Sequence, residues 1–147
     1  MKAVLQRVKS AHVTVEGRTV GEIGPGLLVL VGIGAGDTAG DIDWMVEKIV
    51  NLRIFETPEG KLDKSLLDVG GGLLLVSQFT LYGNCKKGRR PSFSDAMDPD
   101  GAREMFRLFT AAAAEKAEKV ETGIFQASMD VHLVNDGPVT LVLDSRA

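Results

Sequence analysis

The stretch Gly24-Pro25-Gly26-Leu27-Leu28-Val29-Leu30-Val31-Gly32-Ile33 decides the fold. Gly-Pro-Gly breaks the pattern before it, and the apolar run Leu27–Ile33 has the length of a strand and no polar face. It therefore predicts a strand buried on both sides. Toward the N-terminus, Val20 and Ile23 continue an alternation, Gly17-Arg18 reads as a turn, and His12–Glu16 alternates as a half-buried strand does. Residues 2–10 mix Val4, Leu5 and Val8 with polar positions, so about four strands are expected to open the chain. Toward the C-terminus the period changes: Ile42, Met45, Val46, Ile49 and Val50 recur at helical spacing between Asp41 and Arg53.

Beyond this helix, residues 53–56 read as a short strand closed by Thr57-Pro58-Glu59-Gly60. Gly70-Gly71-Gly72 then opens a central strand, Leu73–Phe79. A polar loop runs from Tyr82 to Ala96, after which Asp98 can cap a helix with Pro99 at its first position. Met105, Phe106, Phe109, Ala112, Ala113, Ala117 and Val120 give that helix an apolar face, and Lys116 and Lys119 suit its negative end. Residues 129–135 and 139–144 read as two strands interrupted by Asp136-Gly137-Pro138. No linker or repeat divides residues 1–147, so the expected architecture is one α+β domain, a predominantly antiparallel sheet covered by two main helices.

Composition narrows the function. Hydrophobic residues make up 44% and charged residues 25%, the balance of a globular protein rather than a disordered one. Lys2 and Arg7 leave no apolar stretch long enough for a signal peptide, and no run approaches the ~20 residues of a membrane span, so a cytoplasmic address is expected. The single Cys85 excludes an intrachain disulfide and a Cys-x-x-Cys metal or redox motif. The net charge of −3 carries no global footprint for nucleic acid, yet Lys86, Lys87, Arg89 and Arg90 crowd four cations into one short loop flanked by Tyr82 and Phe93. That loop is either a solvated surface or a phosphate contact.

Several constellations have ordinary explanations. Gly32-Ile33-Gly34-Ala35-Gly36 follows a strand and precedes a helix, but Asp37 puts a carboxylate where a dinucleotide fingerprint needs its third glycine, so a plain connection is expected. Asp41-x-Asp43 and Asp98-x-Asp100 fall in first turns of helices, where carboxylates serve as caps rather than metal ligands. His12 and His132 are the only imidazoles available to a Ser77- or Thr80-based triad, and no Gly-x-Ser-x-Gly elbow is present.

Two places resist such readings. In Leu73-Leu74-Leu75-Val76-Ser77-Gln78-Phe79-Thr80-Leu81 an apolar strand acquires hydrogen-bonding side chains just where it ends. In Asn135-Asp136-Gly137-Pro138-Val139-Thr140 glycine and proline interrupt a pair of apolar strands, which on its own reads as a hairpin turn or a site.

In this order and at this separation, Ser77-Gln78-Phe79-Thr80 and Asn135-Asp136-Gly137-Pro138-Val139-Thr140 resemble the two active-site motifs of the D-aminoacyl-tRNA deacylase family. Gln6-Arg7-Val8, Val13-Thr14-Val15, Gly24-Pro25-Gly26-Leu27-Leu28, Arg53-Ile54-Phe55 and Arg90-Pro91-Ser92-Phe93-Ser94 extend the resemblance over the whole chain. It implies a barrel-like dimeric fold in which a cis Gly137–Pro138 bond enters the partner's pocket and excludes L side chains. Arg7 would support that motif, Met129 would line the pocket, and Ser77, Gln78, Phe79 and Thr80 would form the catalytic stretch, with backbone amides around Gln78 and Phe79 holding the aminoacyl carbonyl. The implied partner is aminoacyl-tRNA carrying a D-amino acid or glycine, bound in part by Lys86, Lys87, Arg89 and Arg90. The reaction would be ester hydrolysis assisted by the RNA 2′-hydroxyl, with no metal or organic cofactor and neither DNA nor membrane as partner. Gln126-Ala127-Ser128 departs from the small residue and acid that the family usually carries before its methionine. Two readings from other classes stay open, a serine or threonine esterase acting on small substrates and a non-catalytic RNA-binding domain.

Overall fold

The computed structural model describes residues 1–147. Its organising element is a single long strand, β1 (Lys2–Val15), in place of the two shorter strands expected there. Alternation turns Ala3, Leu5, Ala11 and Val13 into the core, and the length lets β1 pair with three neighbours. Its first half pairs with β3 (Gly26–Gly32), and its second half pairs with β2 (Arg18–Ile23) across the turn at Gly17. On its other side it pairs along its whole length with β8 (Asp130–Asp144).

All three of those pairings are antiparallel, but the sheet continues β3–β6–β7 in parallel, with β6 at Gly72–Ser77 and β7 at Lys119–Thr122. The sheet is thus mixed, with three antiparallel pairings and two parallel ones. Parallel neighbours need crossovers, and the two long helices supply them: α1 (Ala39–Asn51) lies between β3 and β6, and α3 (Pro99–Ala114) between β6 and β7. Within the first crossover come a two-stranded ribbon, β4 (Phe55–Glu56) with β5 (Leu62–Lys64), and a one-turn helix, α2 (Leu66–Val69), making three helices in all. Helix α2 starts where the Ser65 side chain accepts the Asp68 N–H and the Asp68 carboxylate accepts the Ser65 N–H.

The apolar faces of α1 and α3 meet one side of the sheet through Met45, Ile49, Phe106 and Phe109, over Leu27, Val29, Leu73 and Leu75. The other side curls around a smaller core of Val8, Val13, Ile23, Leu28, Leu74 and Val76. Closure brings β2 against β7 so tightly that a Cβ on Gly21 would stand 2.5 Å from the Thr122 carbonyl oxygen, and the sheet is nearly a closed barrel. No helix is long and apolar enough to cross a membrane.

Two further expectations are corrected. Helix α3 ends at Ala114 rather than running to Val120, because Lys119–Thr122 satisfies the open edge of β6 as a strand while Ala117 still packs into the core. Residues 136–139 are not a hairpin turn. Gln6 pairs with Thr140 and Val8 with Asn135, so both flanks stay on β1 and the segment bulges out of one continuous strand opposite Arg7. The expected caps are present: Asp98 accepts the Gly101 N–H at 2.9 Å and Asp41 accepts the Thr38 N–H at 2.8 Å. The Ser145 hydroxyl, and then the Thr38 N–H, hold the Asp41 carboxyl below its ordinary pKa. Asp37 is turned inward, accepting the Gly34 N–H at 2.7 Å and pairing with Arg146 at 2.6 Å, which makes Gly32–Gly36 a strand-to-helix connection.

Candidate active site

Strand β6 is buried from Gly72 to Val76 and emerges at Ser77, the last residue in register with β3. The Gln78 N–H still reaches the Val31 carbonyl at 2.7 Å, after which the chain tightens into a 3-10 turn over Phe79–Tyr82. This places the strand's polar end at the mouth of a pocket of about 870 Å³. Ser77, Gln78 and Phe79 form one wall, Met97 and Asp98 with Pro99 and Ala102 of the first turn of α3 another, and residues 125–131 a third that includes Met129. Thr80 lies just outside, its hydroxyl accepting from Gln78 Nε2 at 2.5 Å. Phe79 is 54% exposed at the rim and meets Phe93 edge-on, with ring centroids 5.1 Å apart.

The chemistry available inside is limited in a telling way. Asp98 is the only charged residue lining the pocket, and its carboxylate is engaged in capping α3. His12 and His132 face each other across β1 and β8 and stack with centroids 4.2 Å apart, away from the pocket lining. Neither can serve Ser77 or Thr80 as a base. Tyr82 offers none either: burial first, and the Asp37 carboxylate second, push its hydroxyl up to about 12. The Gln78 N–H, one of the amides expected to hold a carbonyl, is already committed to Val31. The amides that open the 3-10 turn, those of Phe79 and Thr80, precede its first internal hydrogen bond and are the ones left for such a role.

The second motif is built with equal care and lies elsewhere. Its Gly137–Pro138 peptide bond is cis, and Gly137 has φ +132°, where a Cβ would stand 3.0 Å from Val139 Cγ2 and 3.1 Å from Arg7 Nη2. Asn135 ties the bulge at its base, Oδ1 accepting the Val139 N–H at 2.9 Å and Nδ2 donating to Thr140 Oγ1 at 3.0 Å. Arg7, 4% exposed, holds it from beneath. Its Nε donates to the Asp136 carbonyl at 3.0 Å, Nη1 to the Ile54 carbonyl at 2.9 Å, and Nη2 reaches Glu56 at 3.4 Å. Gly137 and Pro138 are exposed and do not line the pocket. Within one chain, then, the fold brings Ser77, Gln78, Phe79 and Met129 together, joins Arg7 to Asp136, and keeps the two groups apart.

Lys86, Lys87, Arg89 and Arg90 are exposed on a loop closed at its base by paired hydrogen bonds between Asn84 and Ser92. None of the four takes part in an ion pair. Cys85 is exposed in the same loop. Of the third wall, the sequence points to Met129 and to Gln126-Ala127-Ser128 beside it, but not to Phe125, an aromatic in the connection between the last two strands that belongs to no motif.

The family described as D-Tyr-tRNA(Tyr) deacylase matches residues 4–144. Proteins named D-aminoacyl-tRNA deacylase are 59% identical in Desulfitobacterium hafniense and 58% identical in Thermosipho africanus. Each match covers 99% of this chain, with 97% and 98% of the relative respectively. A solved structure described as c-Myc DNA unwinding element binding protein superposes with a TM-score of 0.95 at 44% identity, covering 100% of both chains. A second, described as a probable eukaryotic D-amino acid tRNA deacylase, shares the fold at a TM-score of 0.77 and 20% identity over 97% of each chain. With its two motifs in these positions and its likeness running the length of the fold, the chain belongs to the D-Tyr-tRNA(Tyr) deacylase family.

Proposed function

We propose that the protein hydrolyses the ester joining a D-amino acid to the terminal ribose of tRNA, and that it accepts glycine while sparing L-aminoacyl groups. Full-length identity of 56–59% to proteins named for that activity supports the reaction class. The observation that carries the site is the separation of its two halves. A pocket at the end of β6 lacks Gly137 and Pro138, while the bulge bearing them projects, braced by Arg7, into solvent. A second copy of the chain supplies what each pocket lacks. The Gly137 and Pro138 carbonyls would then face the α-carbon and its amino group, leaving space for hydrogen or a D side chain and none for an L side chain.

In this reading water attacks the acyl carbon, the ribose oxygen leaves, and free amino acid and tRNA are released. The Phe79 and Thr80 amides meet the developing oxyanion, and the pocket, which offers no free base, holds the ester where the neighbouring 2′-hydroxyl of the RNA assists attack. A site assembled from two chains requires a dimer for activity. Sedimentation is expected to give about twice the 15.7 kDa chain mass at assay concentrations. A fully active monomer would remove the shared site.

The cation loop has the exposure and unpaired charge of a phosphate-binding segment. Replacing Lys86, Lys87, Arg89 and Arg90 together by alanine is expected to weaken binding of every tRNA and to flatten the slope of log affinity against log salt by about 0.7–0.9 per lost phosphate contact. An unchanged slope would return the loop to ordinary surface. Duplex DNA titrated in parallel is expected to bind more weakly than tRNA, since the net charge of −3 provides no broad basic face.

A further inference from the structure

Gln126 is a non-glycine residue at φ +65°, in the left-handed region, and it lies in the pocket wall. It is the third residue of a turn closed by the Ala127 N–H on the Ile124 carbonyl at 3.1 Å, a position where positive φ favours glycine. The one other non-glycine residue with positive φ, Glu16, sits in the β1–β2 hairpin turn, where such a conformation is the usual requirement. What sets Gln126 apart is its partner: Arg103 Nη2 donates to Gln126 Oε1 at 2.6 Å. The same guanidinium lies 4.8 Å from the centroid of the Phe125 ring, and Phe125 in turn stacks on Phe106 at 6.3 Å. Helix α3 therefore grips both central residues of the turn, one by the face of its ring and the other by its amide.

We infer that Arg103 is a positioning residue for the acyl-ester pocket, acting through Phe125 and Gln126 to hold the 124–127 turn as the pocket's third wall. The inference rests on the deacylase reading for its substrate, but its geometry does not. Arginine offers only donors, so the Gln126 atom that faces it must be the amide oxygen, and the side chain has a fixed orientation with its NH₂ end free. Glutamine is tolerated at a glycine-favouring position because that contact holds the backbone there. Ala102, the residue before Arg103, lines the same pocket, so the grip acts directly beside the space it shapes.

The test compares Arg103→Ala, Gln126→Gly and the double variant, with D-tyrosyl-tRNA kinetics, amide hydrogen exchange at Ala127 and thermal midpoints. Losing one such contact is expected to raise KM about fivefold in Arg103→Ala with kcat within about twofold, because the wall binds ground and transition states alike. Exchange at Ala127 is expected to quicken by a similar factor. Gln126→Gly satisfies the turn without a strut, so in that background adding Arg103→Ala is expected to change KM less than about twofold, whatever the KM of Gln126→Gly itself. An Arg103→Ala variant with a lowered thermal midpoint but unchanged KM and Ala127 exchange would overturn the inference, as would equal losses in both backgrounds. If the parent shows no deacylation at all, the functional reading fails on its own, and exchange at Ala127 alone decides whether the grip exists.

Discussion

A tRNA ending in 2′-deoxyadenosine, charged with D-tyrosine on its remaining 3′-hydroxyl, is expected to be hydrolysed roughly 10²–10⁴-fold more slowly than its ribose counterpart, the range over which a positioned proton-transfer group acts. Asp98 is spent on capping α3, both imidazoles are stacked on each other elsewhere, and Tyr82 holds its proton up to about 12. In the proposed mechanism, the group that assists water therefore arrives with the substrate. By the same reasoning Ser77→Ala and Thr80→Ala remove side-chain hydrogen bonds worth ~1 kcal/mol each, about fivefold in rate, since the backbone amides survive the change. A serine or threonine esterase would show the reverse, with near-total loss on alanine substitution and an acyl group trapped on the hydroxyl. Single-turnover rates on the two substrates, beside the two alanine variants, separate these mechanisms.

Arg7→Ala is expected to cost about 3 kcal/mol of stability and roughly 100-fold in deacylation. Arg7 is buried, and its removal strands the carbonyl oxygens of Asp136 and Ile54, each of which now accepts a charged donor at about 3 Å. For a chain of this size about 3 kcal/mol lowers the thermal midpoint by roughly 6–12 °C. The catalytic loss is separate. The bulge is pinned from below only by Arg7 and at its base by Asn135, so without the guanidinium the Gly137 and Pro138 carbonyls lose their fixed direction. Denaturant titration checks the first effect. Activity measured at a temperature where the variant is fully folded checks the second, and full activity there would show that Arg7 serves the fold alone.

Much of this architecture is legible in the residues themselves. The 3.6-residue spacing of Ile42, Met45, Val46, Ile49 and Val50 marks α1 because burial on one face leaves no other period, and Asp98-Pro99 marks the start of α3 because only a helix end uses both. What stays hidden depends on partners distant in the chain. Nothing local shows that Leu73–Val76 pairs parallel to Leu27–Leu30, since a strand buried on both faces looks the same in either direction. Nor does the sequence show that Lys119–Thr122 leaves the helix: its residues continue the helical pattern, and the open edge of β6 decides the matter. The same holds at Asp136-Gly137-Pro138, where the turn-forming residues suggest reversal and an unbroken partner, β1, prevents it. For the site, the motif residues are visible at the strand's end and in the bulge, while Phe125 and the Arg103–Gln126 contact emerge only once α3 and the β7–β8 connection are placed side by side.

The central claim is stereochemical selection by a hydrolase, and one assay addresses it directly: D-tyrosyl-tRNA, L-tyrosyl-tRNA and glycyl-tRNA incubated side by side with the purified protein, with release of free amino acid followed over time. Rapid release of D-tyrosine and glycine is expected, with the L-ester left at its spontaneous rate. Equal release of the two tyrosine enantiomers would contradict it.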